Sequence, residues 1–207
     1  MHPNTSFRKT PESEAMSFAT DRGFGALVMG TANGVLASHI PFILENNRLE
    51  AHLVRSTAIA RHLSKHGDSL AKMIVSGPDG YISPDWYGEP DLVPTWNYIA
   101  VHIEGTVRLR ESSTLLDHLE RLSRRFEAAL APKPIWTHDK MTDGIMEKLM
   151  RTIVPIEIEI ENVDSTFKLN QNRTAGARAG AAAELVKGRS PGLQTPWLAA
   201  LMRMTGD

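Results

Sequence analysis

Three strand-like segments follow one another in the first quarter of the chain, and only short turns separate them. Residues 25–31, 35–44 and 48–54 are rich in aliphatic and β-branched side chains. The separators Ala32-Asn33-Gly34 and Glu45-Asn46-Asn47 have the composition of tight hairpin turns. Strands joined by turns this short pair antiparallel. The sequence therefore predicts a three-stranded antiparallel meander.

Further strands are predicted in the middle of the chain and towards its end. Leu70 to Ser76 is strand-like, and the next four residues, Gly77-Pro78-Asp79-Gly80, predict a turn. Residues 96–109 read as one long strand, and residues 155–161 alternate between apolar and acidic, which predicts one buried and one solvated face. Six or seven strands with few helices between them favour a small closed or half-closed antiparallel barrel with helices over its ends.

Helices are predicted where a capping residue precedes apolar residues at helical spacing. They cover residues 10–23, 56–66 and 142–152, a segment that begins at Ser112 or Ser113, and a last segment from Thr195. The helix after residue 112 has an apolar stripe made of Leu116, Leu119, Leu122, Phe126 and Leu130. Its three arginines, Arg121, Arg124 and Arg125, point elsewhere, which is usual for a solvated helix face.

The composition restricts the available chemistry. The 207 residues include no cysteine, so any redox chemistry needs a bound cofactor. A formal net charge of −1 gives no overall attraction to nucleic acid. There is no run of about 18 apolar residues, and the N-terminal residues lack the features of a signal peptide. We therefore expect a cytoplasmic protein without a membrane partner.

Residues 81–98 concentrate all three tyrosines and two of the four tryptophans. The rings alternate with polar side chains and are bracketed by Pro84, Pro90 and Pro94, a mixture that suits a flat ligand or a partner subunit. The alternative is an aromatic loop that closes the end of the sheet. His62 and His66 lie one helical turn apart but have no third ligand at a useful spacing, so no metal site is predicted.

Two short segments have the composition of anion sites. His52 and Arg55 end a predicted strand just before Ser56 and Thr57, and an arginine beside a helix N-terminus suits one phosphate group. Lys168 and Arg173 flank three consecutive amides, Asn170-Gln171-Asn172, which suits an anionic or heteroaromatic ligand. A surface arginine beside an ordinary cap, and a solvated loop, are the respective alternatives.

The order of these motifs resembles the PaiB-type family of FMN-binding negative transcriptional regulators over about residues 1–175. The motifs are Ala37-Ser38-His39-Ile40-Pro41, Ala51-His52-Leu53-Val54-Arg55, Gly80 to Tyr87, Val93 to Tyr98, and Lys168-Leu169-Asn170-Gln171-Asn172-Arg173. The family usually has Ser at the position of Asn170. The resemblance implies a mainly β (α+β) fold, an antiparallel Greek-key split β-barrel of the FMN-binding type with flanking helices, and a homodimer with FMN between its subunits. It also implies an FMN-binding domain over residues 1–175. The tail, residues 176–207, lies outside the resemblance, and its own sequence predicts a helical C-terminal extension.

Site residues carry over from the resemblance by position. Ser38, His39 and Ile40 are expected at the flavin edge, and Arg55 with Ser56 or Thr57, preceded by His52, at the phosphate. Thr95, Trp96 and Asn97 are expected at the isoalloxazine or the dimer contact, and Lys168, Gln171 and Arg173 are expected to close the cleft.

The resemblance favours a regulator that acts through DNA or a protein partner. Direct DNA contact would fall to Arg121, Arg124, Arg125 and the basic stretch from Lys168. The alternatives are an FMN-dependent oxidoreductase, similar to flavin reductases or pyridoxamine-phosphate oxidases, and a haem-binding barrel with His39, His52 or His102 as axial ligand. No catalytic residue is identified, and His39 and His102 are the first histidines to test.

Overall fold

Six β-strands organise residues 1–205, which are the residues described by the computed structural model. They are β1 (Phe24–Thr31), β2 (Gly34–Glu45), β3 (Arg48–Val54), β4 (Ser69–Ile82), β5 (Thr95–Leu109) and β6 (Ile153–Lys168). They form a closed barrel with the neighbour order β1-β2-β3-β6-β5-β4. Because β4 returns to lie beside β1, the first four strands form a Greek key. The predicted fold class is confirmed.

The predicted meander is confirmed at the level of strand register. Thr31 pairs with Gly34 across the first hairpin, and Glu45 pairs with Arg48 across the second. Asn46 and Asn47 have φ angles of 50° and 60°. These are the left-handed values that a two-residue hairpin needs, and asparagine adopts them readily.

Six α-helices accompany the strands in the described part of the chain. They are α1 (Glu12–Arg22), α2 (Ala58–His66), α3 (Leu115–Ala128), α4 (Ile145–Met150), α5 (Ala175–Val186) and α6 (Thr195–Met204). The hydroxyl of Thr57 accepts a hydrogen bond from the amide of Ala60 and so caps α2, as the sequence predicts. Among residues 1–205, no helix has the length and apolar run required to span a bilayer.

The chain divides into two compact units. The first unit comprises residues 1–18, 75–101 and the C-terminal part from residue 164, and the second comprises residues 19–74 and 102–163. In the second unit, the barrel interior is filled by fully buried side chains such as Phe42, Leu49 and Ile156. This apolar interior is the main source of stability for the strands that enclose it.

In the first unit, the C-terminal helices pack closely on the strands and on the turn Pro84–Tyr87. Leu198 and Met202 of α6 are fully buried, and the ring of Trp197 stacks on Phe18 at 5.8 Å. A Cβ atom on Gly180 would lie 2.5 Å from the carbonyl oxygen of Trp86, so α5 approaches this turn as closely as glycine allows. The division into domains 1–175 and 176–207 stays a prediction, and residues 206 and 207 lie outside the described range.

The turn predicted at residues 77–80 is wrong, because β4 continues through it to Ile82. The amides of Asp79 and Tyr81 donate to the carbonyls of Leu193 and Pro191, so the tail supplies a neighbour for this part of the strand. Gly77 is needed for close packing, since its Cβ would lie 2.5 Å from the Phe18 ring and 2.9 Å from Ile99.

The buried faces of β6 and α3 differ from those that the sequence predicts. On β6, Glu159 is exposed, but Glu157 is only 3% exposed, because Arg48 (3.5 Å) and Arg110 (2.6 Å) form ion pairs with it. On α3, the buried residues are Leu115, His118 and Leu122. Leu116, Phe126 and Leu130, members of the predicted stripe, are exposed. α3 therefore buries a different face from the one that the predicted apolar stripe marks.

Gly105 on β5 gives a direct test of strand packing. A Cβ atom there would lie 1.9 Å from the carbonyl oxygen of Glu159, whereas a Cβ on Gly30 of β1 would meet nothing within 4 Å. We expect Gly105→Ala to lower the free energy of unfolding by about 3 kcal/mol, because backbone must move apart to accept the methyl group. Urea denaturation measures this change. Gly30→Ala is the matched control, and equal effects of the two substitutions would contradict the packing described for Gly105.

Candidate functional site

The predicted site residues fall into one group in each unit. The second unit holds Ser38, His39, Ile40, His52, Arg55, Ser56 and Thr57, and the first unit holds Thr95, Trp96, Asn97, Lys168, Gln171 and Arg173.

Arg55 lies between the end of β3 and the N-terminus of α2. Its Nε donates to the carbonyl of Arg151 at 3.2 Å, and its Nη2 donates to the carbonyl of Ile153 at 3.1 Å. These bonds use two of the five guanidinium N–H groups and leave Nη1 without a hydrogen bond among the described residues. Arg55 and Ser56 are exposed, and Thr57 caps the nine-residue helix. The group thus combines a positioned cation, two hydroxyls and a helix N-terminus, a donor set suited to phosphate.

The three predicted flavin-edge residues lie on β2 and alternate in direction. Ile40 is buried in the core, Ser38 is half-buried, and His39 is exposed. The His39 ring lies nearly parallel to that of Phe24, with centroids 6.4 Å apart. Of these three side chains, His39 is therefore the most accessible to solvent.

His52 forms a pair with a histidine that sequence reasoning did not select. Its Nδ1 lies 3.2 Å from Nε2 of His118 on α3. His118 is 2% exposed, and its Nδ1 has no hydrogen-bond partner although Oε2 of Glu50 is 4.0 Å away. Burial lowers the pKa of His118 to about 4, with a further contribution from His52, and burial also lowers the pKa of His52. Both rings are therefore neutral at pH 7.

Two of the three arginines of α3, Arg121 and Arg125, have partners within the second unit. Arg121 pairs with Glu45 at 2.8 Å, Glu50 at 2.5 Å and Asp117 at 2.8 Å. Arg125 donates to the carbonyl of Thr20. Because three carboxylates surround its guanidinium, Arg121 is poorly suited to a DNA phosphate. Arg124 is exposed, as predicted for a solvated helix face, whereas Arg121 and Arg125 are half-buried.

The aromatic segment of residues 81–98 divides into buried and open parts. Trp96 is 45% exposed, its ring meets that of Tyr81 edge to face at 6.2 Å, and Tyr87 is buried. Trp96 and Tyr98 line an open groove of about 610 Å³ together with Gly77 and Leu193. This volume lies within the range of small-molecule sites and is sufficient for a flavin ring.

Thr95 and Asn97 point to the opposite face of β5 from Trp96, because side chains alternate along a strand. Asn97 is fully buried, and its Nδ2 lies 3.4 Å from the sulfur of Met202. The structure therefore places Trp96 at an open groove and Asn97 in the packing between β5 and α6. A cofactor contact by Asn97 stays a prediction.

Lys168 and Arg173 line a cavity of about 150 Å³ in the first unit. The Nζ atom of Lys168 donates to Oγ1 of Thr95 at 2.5 Å. Gln171 uses both ends of its amide locally, because it accepts from the amide of Leu169 and donates to the carbonyl of Phe167. Gln171 thus holds the turn that carries the two cations, and a direct cofactor contact by it stays a prediction.

Two solved structures define the fold class. The FAD and haem binding protein from Mycobacterium smegmatis matches with a TM-score of 0.56 and 14% identity, covering 78% of this chain and 73% of that chain. The flavocytochrome Anf3 from Azotobacter vinelandii matches with a TM-score of 0.53 and 11% identity, covering 81% and 72%. Together with the strand order, these likenesses identify a split-barrel fold.

A sequence comparison over the barrel strands identifies the family of this chain. Residues 1–162 match the family model described as "Putative FMN-binding domain", and the chain belongs to this family. It is 27% identical to the protease synthase and sporulation protein PAI 2 of Bacillus subtilis over 169 residues, which cover 81% of this chain and 80% of the relative. The PaiB-type resemblance is confirmed, and FMN is the cofactor that family membership assigns. The Arg55 group fits its phosphate.

The His52–His118 pair predicts acid sensitivity. Since the pKa of His118 is about 4 in the folded chain and near 6.5 when unfolded, the unfolded state binds more protons between these values. The contribution of the neutral His118 to the free energy of unfolding is therefore fully present above about pH 6.5, and it is lost as the pH decreases towards 4. We expect His118→Gln to flatten this dependence by up to about 1.4 kcal/mol per pH unit.

Urea unfolding at about pH 7, 6 and 5 measures the effect. His66→Gln serves as control because His66 is exposed on α2 and contacts only His62 among the aromatic rings of the described chain. A His118→Gln protein with the same pH dependence as the parent would contradict the role of the buried pair.

Proposed function

We propose that this protein is a cytoplasmic, homodimeric FMN-binding regulator of the PaiB type that represses transcription through DNA or a protein partner. The observation that carries the FMN part is the Arg55 group at the N-terminus of α2, which lies inside the residues matched by the family model. The regulatory part is supported by the resemblance of the ordered motifs to PaiB-type regulators and by the similarity to PAI 2.

Arg55 provides the bidentate cation for the FMN phosphate in this proposal. Its bonds to the carbonyls of Arg151 and Ile153 fix the guanidinium before the ligand arrives, which reduces the entropy lost on binding. The hydroxyls of Ser56 and Thr57 and the positive end of α2 add to the same anion site. Bound FMN supplies an isoalloxazine ring that accepts and donates electrons, which no side chain of this cysteine-free chain supplies.

The remaining cofactor contacts carry over from the resemblance as part of the proposal. They are Ser38, His39, Ile40 and His52, then Thr95, Trp96 and Asn97, and finally Lys168, Gln171 and Arg173. Trp96 has the strongest support, because nearly half of its surface is exposed beside a groove of flavin-ring size.

Dimerisation is supported by apolar surface on the first unit. Val93, Trp96 and Leu193 are 67%, 45% and 68% exposed, and Trp96 and Leu193 line the same groove. An exposed tryptophan beside exposed aliphatic side chains is typical of a surface that a second subunit covers. The cytoplasmic location follows from the proposed role, since a repressor acts where its DNA or protein partner is.

The phosphate assignment predicts a specific defect. Arg55→Ala removes the charge-assisted hydrogen bonds to phosphate, so FMN affinity should fall by about tenfold or more. Riboflavin has the same ring but no phosphate, and its affinity should stay nearly constant. Quenching of flavin fluorescence measures both constants. Equal losses for FMN and riboflavin would refute the assignment, and a thermal melt of Arg55→Ala controls for the lost contacts to β6.

A regulator and an oxidoreductase differ in turnover. We expect the FMN-loaded protein to retain its oxidised flavin spectrum for many minutes in excess NADPH without oxygen, because a regulator binds its flavin without turning it over. Stopped-flow absorbance of the flavin band measures the rate. Free FMN at the same concentration is the control, and bleaching at catalytic rates would establish the oxidoreductase instead.

A further inference from the structure

We propose that the 150 Å³ cavity around Lys168 and Arg173 binds the carboxylate or phosphate group of a second small ligand, distinct from FMN. The cavity, named here the Lys168 pocket, is lined by His2, Phe7, Tyr87, Val93, Thr95, Lys168, Asn170, Asn172 and Arg173. The inference rests on the proposed function in one respect, which is that the FMN phosphate belongs to Arg55. In this proposal, Lys168 and Arg173 contact the second ligand, which replaces the direct FMN contact that the resemblance implies for them.

The charge of the Lys168 pocket is unbalanced. Its lining contains the cationic side chains of Lys168 and Arg173, the imidazole of His2 and no carboxylate. Within residues 1–205, no carboxylate forms an ion pair with Lys168 or Arg173, whereas the neighbouring Arg8 has Asp164 at 3.0 Å. Two like charges in one partly buried cavity repel each other, and an oxyanion placed between them would relieve this repulsion.

The lowered pKa of Lys168 agrees with the excess of positive charge in the pocket. Burial lowers the pKa of Lys168, and the positive charge of Arg173 lowers it further. Its ammonium group also lies 5.7 Å from the centre of the Phe7 ring, and Arg173 lies 5.5 Å from the centre of the Tyr87 ring. The two aromatic rings are buried and therefore hold the cations in fixed positions.

Asn170 adds a buried polar group that lacks a partner. The residue is 2% exposed, and its Oδ1 accepts from the hydroxyl of Tyr87 at 3.4 Å, while its Nδ2 has no hydrogen-bond partner. Turning the amide over would only exchange which end is unpaired. A buried amide N–H without an acceptor destabilises the fold, and a ligand oxygen in the pocket would satisfy it.

The size of the Lys168 pocket limits its ligand. Small-molecule sites usually exceed about 300 Å³, so 150 Å³ accommodates an anionic head group and not a flavin ring. The family match ends at residue 162, before Lys168, Asn170 and Arg173. The ligand class is therefore a small metabolite with a terminal carboxylate or phosphate, a chemistry that suits an effector of a regulator.

The test is calorimetric titration of the purified protein with inorganic phosphate and, separately, with acetate, in chloride buffer, with and without saturating FMN. We expect one phosphate site per chain at saturating FMN, and two in its absence, because the Arg55 group is then open to phosphate as well. Lys168→Met should weaken phosphate by about tenfold or more, because a charge-assisted bond is lost, and Lys168→Arg should restore most of the affinity. Lys65→Met, at an exposed position of α2, is the matched loss of charge and should change nothing.

A second variant separates binding from folding. Asn170 has a φ angle of 63°, so Asn170→Gly keeps the left-handed backbone while it removes the amide. This variant should bind both anions more weakly. Its melting temperature and its affinity for FMN should stay close to those of the parent. Unchanged phosphate affinity in a folded Lys168→Met protein would overturn the proposal.

Competition with FMN separates this proposal from the proposed function. If FMN, but not riboflavin, abolishes phosphate binding in the parent, the pocket holds the FMN phosphate and the second-ligand proposal is wrong. If the protein binds no FMN but binds phosphate at Lys168, the proposed function fails and the pocket stands. A preference for phosphate over acetate, or the reverse, identifies which oxyanion the ligand carries.

Discussion

The antiparallel ladder between β3 and β6 is the constraint on which the second unit depends. It runs from the pair Arg48–Glu159 to the pair Val54–Ile153 and joins residues about a hundred positions apart. Long-range pairing of this kind has a high entropic cost and must be offset by burial, here of residues such as Leu49 and Ile156. The end of the ladder presents the carbonyls that hold Arg55, so the same pairing that closes the fold also positions the proposed phosphate site.

Local signals were sufficient for the outline of the fold. Asn46 and Asn47 adopt the left-handed φ angles of a tight turn readily, and the alternation of apolar with polar residues along β5 and over residues 155–161 favours strands. The errors occur where a distant segment decides the outcome. Gly77 and Pro78 remain in β4 because the tail pairs with the strand beyond them, and Glu157 is buried because arginines from other strands neutralise it.

The candidate site was predictable to the extent that it is contiguous in sequence. Arg55 stands directly before a cap and a helix, so one short segment contains all the residues of the proposed phosphate site. The partners His52 and His118 are 66 residues apart, and Tyr87 and Asn170 are 83 apart. No spacing rule joins such residues, and only the three-dimensional packing of α3 on β3, or of the turn Pro84–Tyr87 on the end of β6, brings them into contact.

The tail segment of residues 190–193 has a consequence for the state of the protein in solution. Its carbonyls occupy the amides of Asp79 and Tyr81, and the hydroxyl of Ser190 donates to the carbonyl of Tyr81. A chain that loses this segment would present a row of unpaired groups along the outer half of β4, and such an edge is a template for pairing with another chain. The tail therefore occupies backbone groups of β4 that would otherwise be open to pairing with another chain.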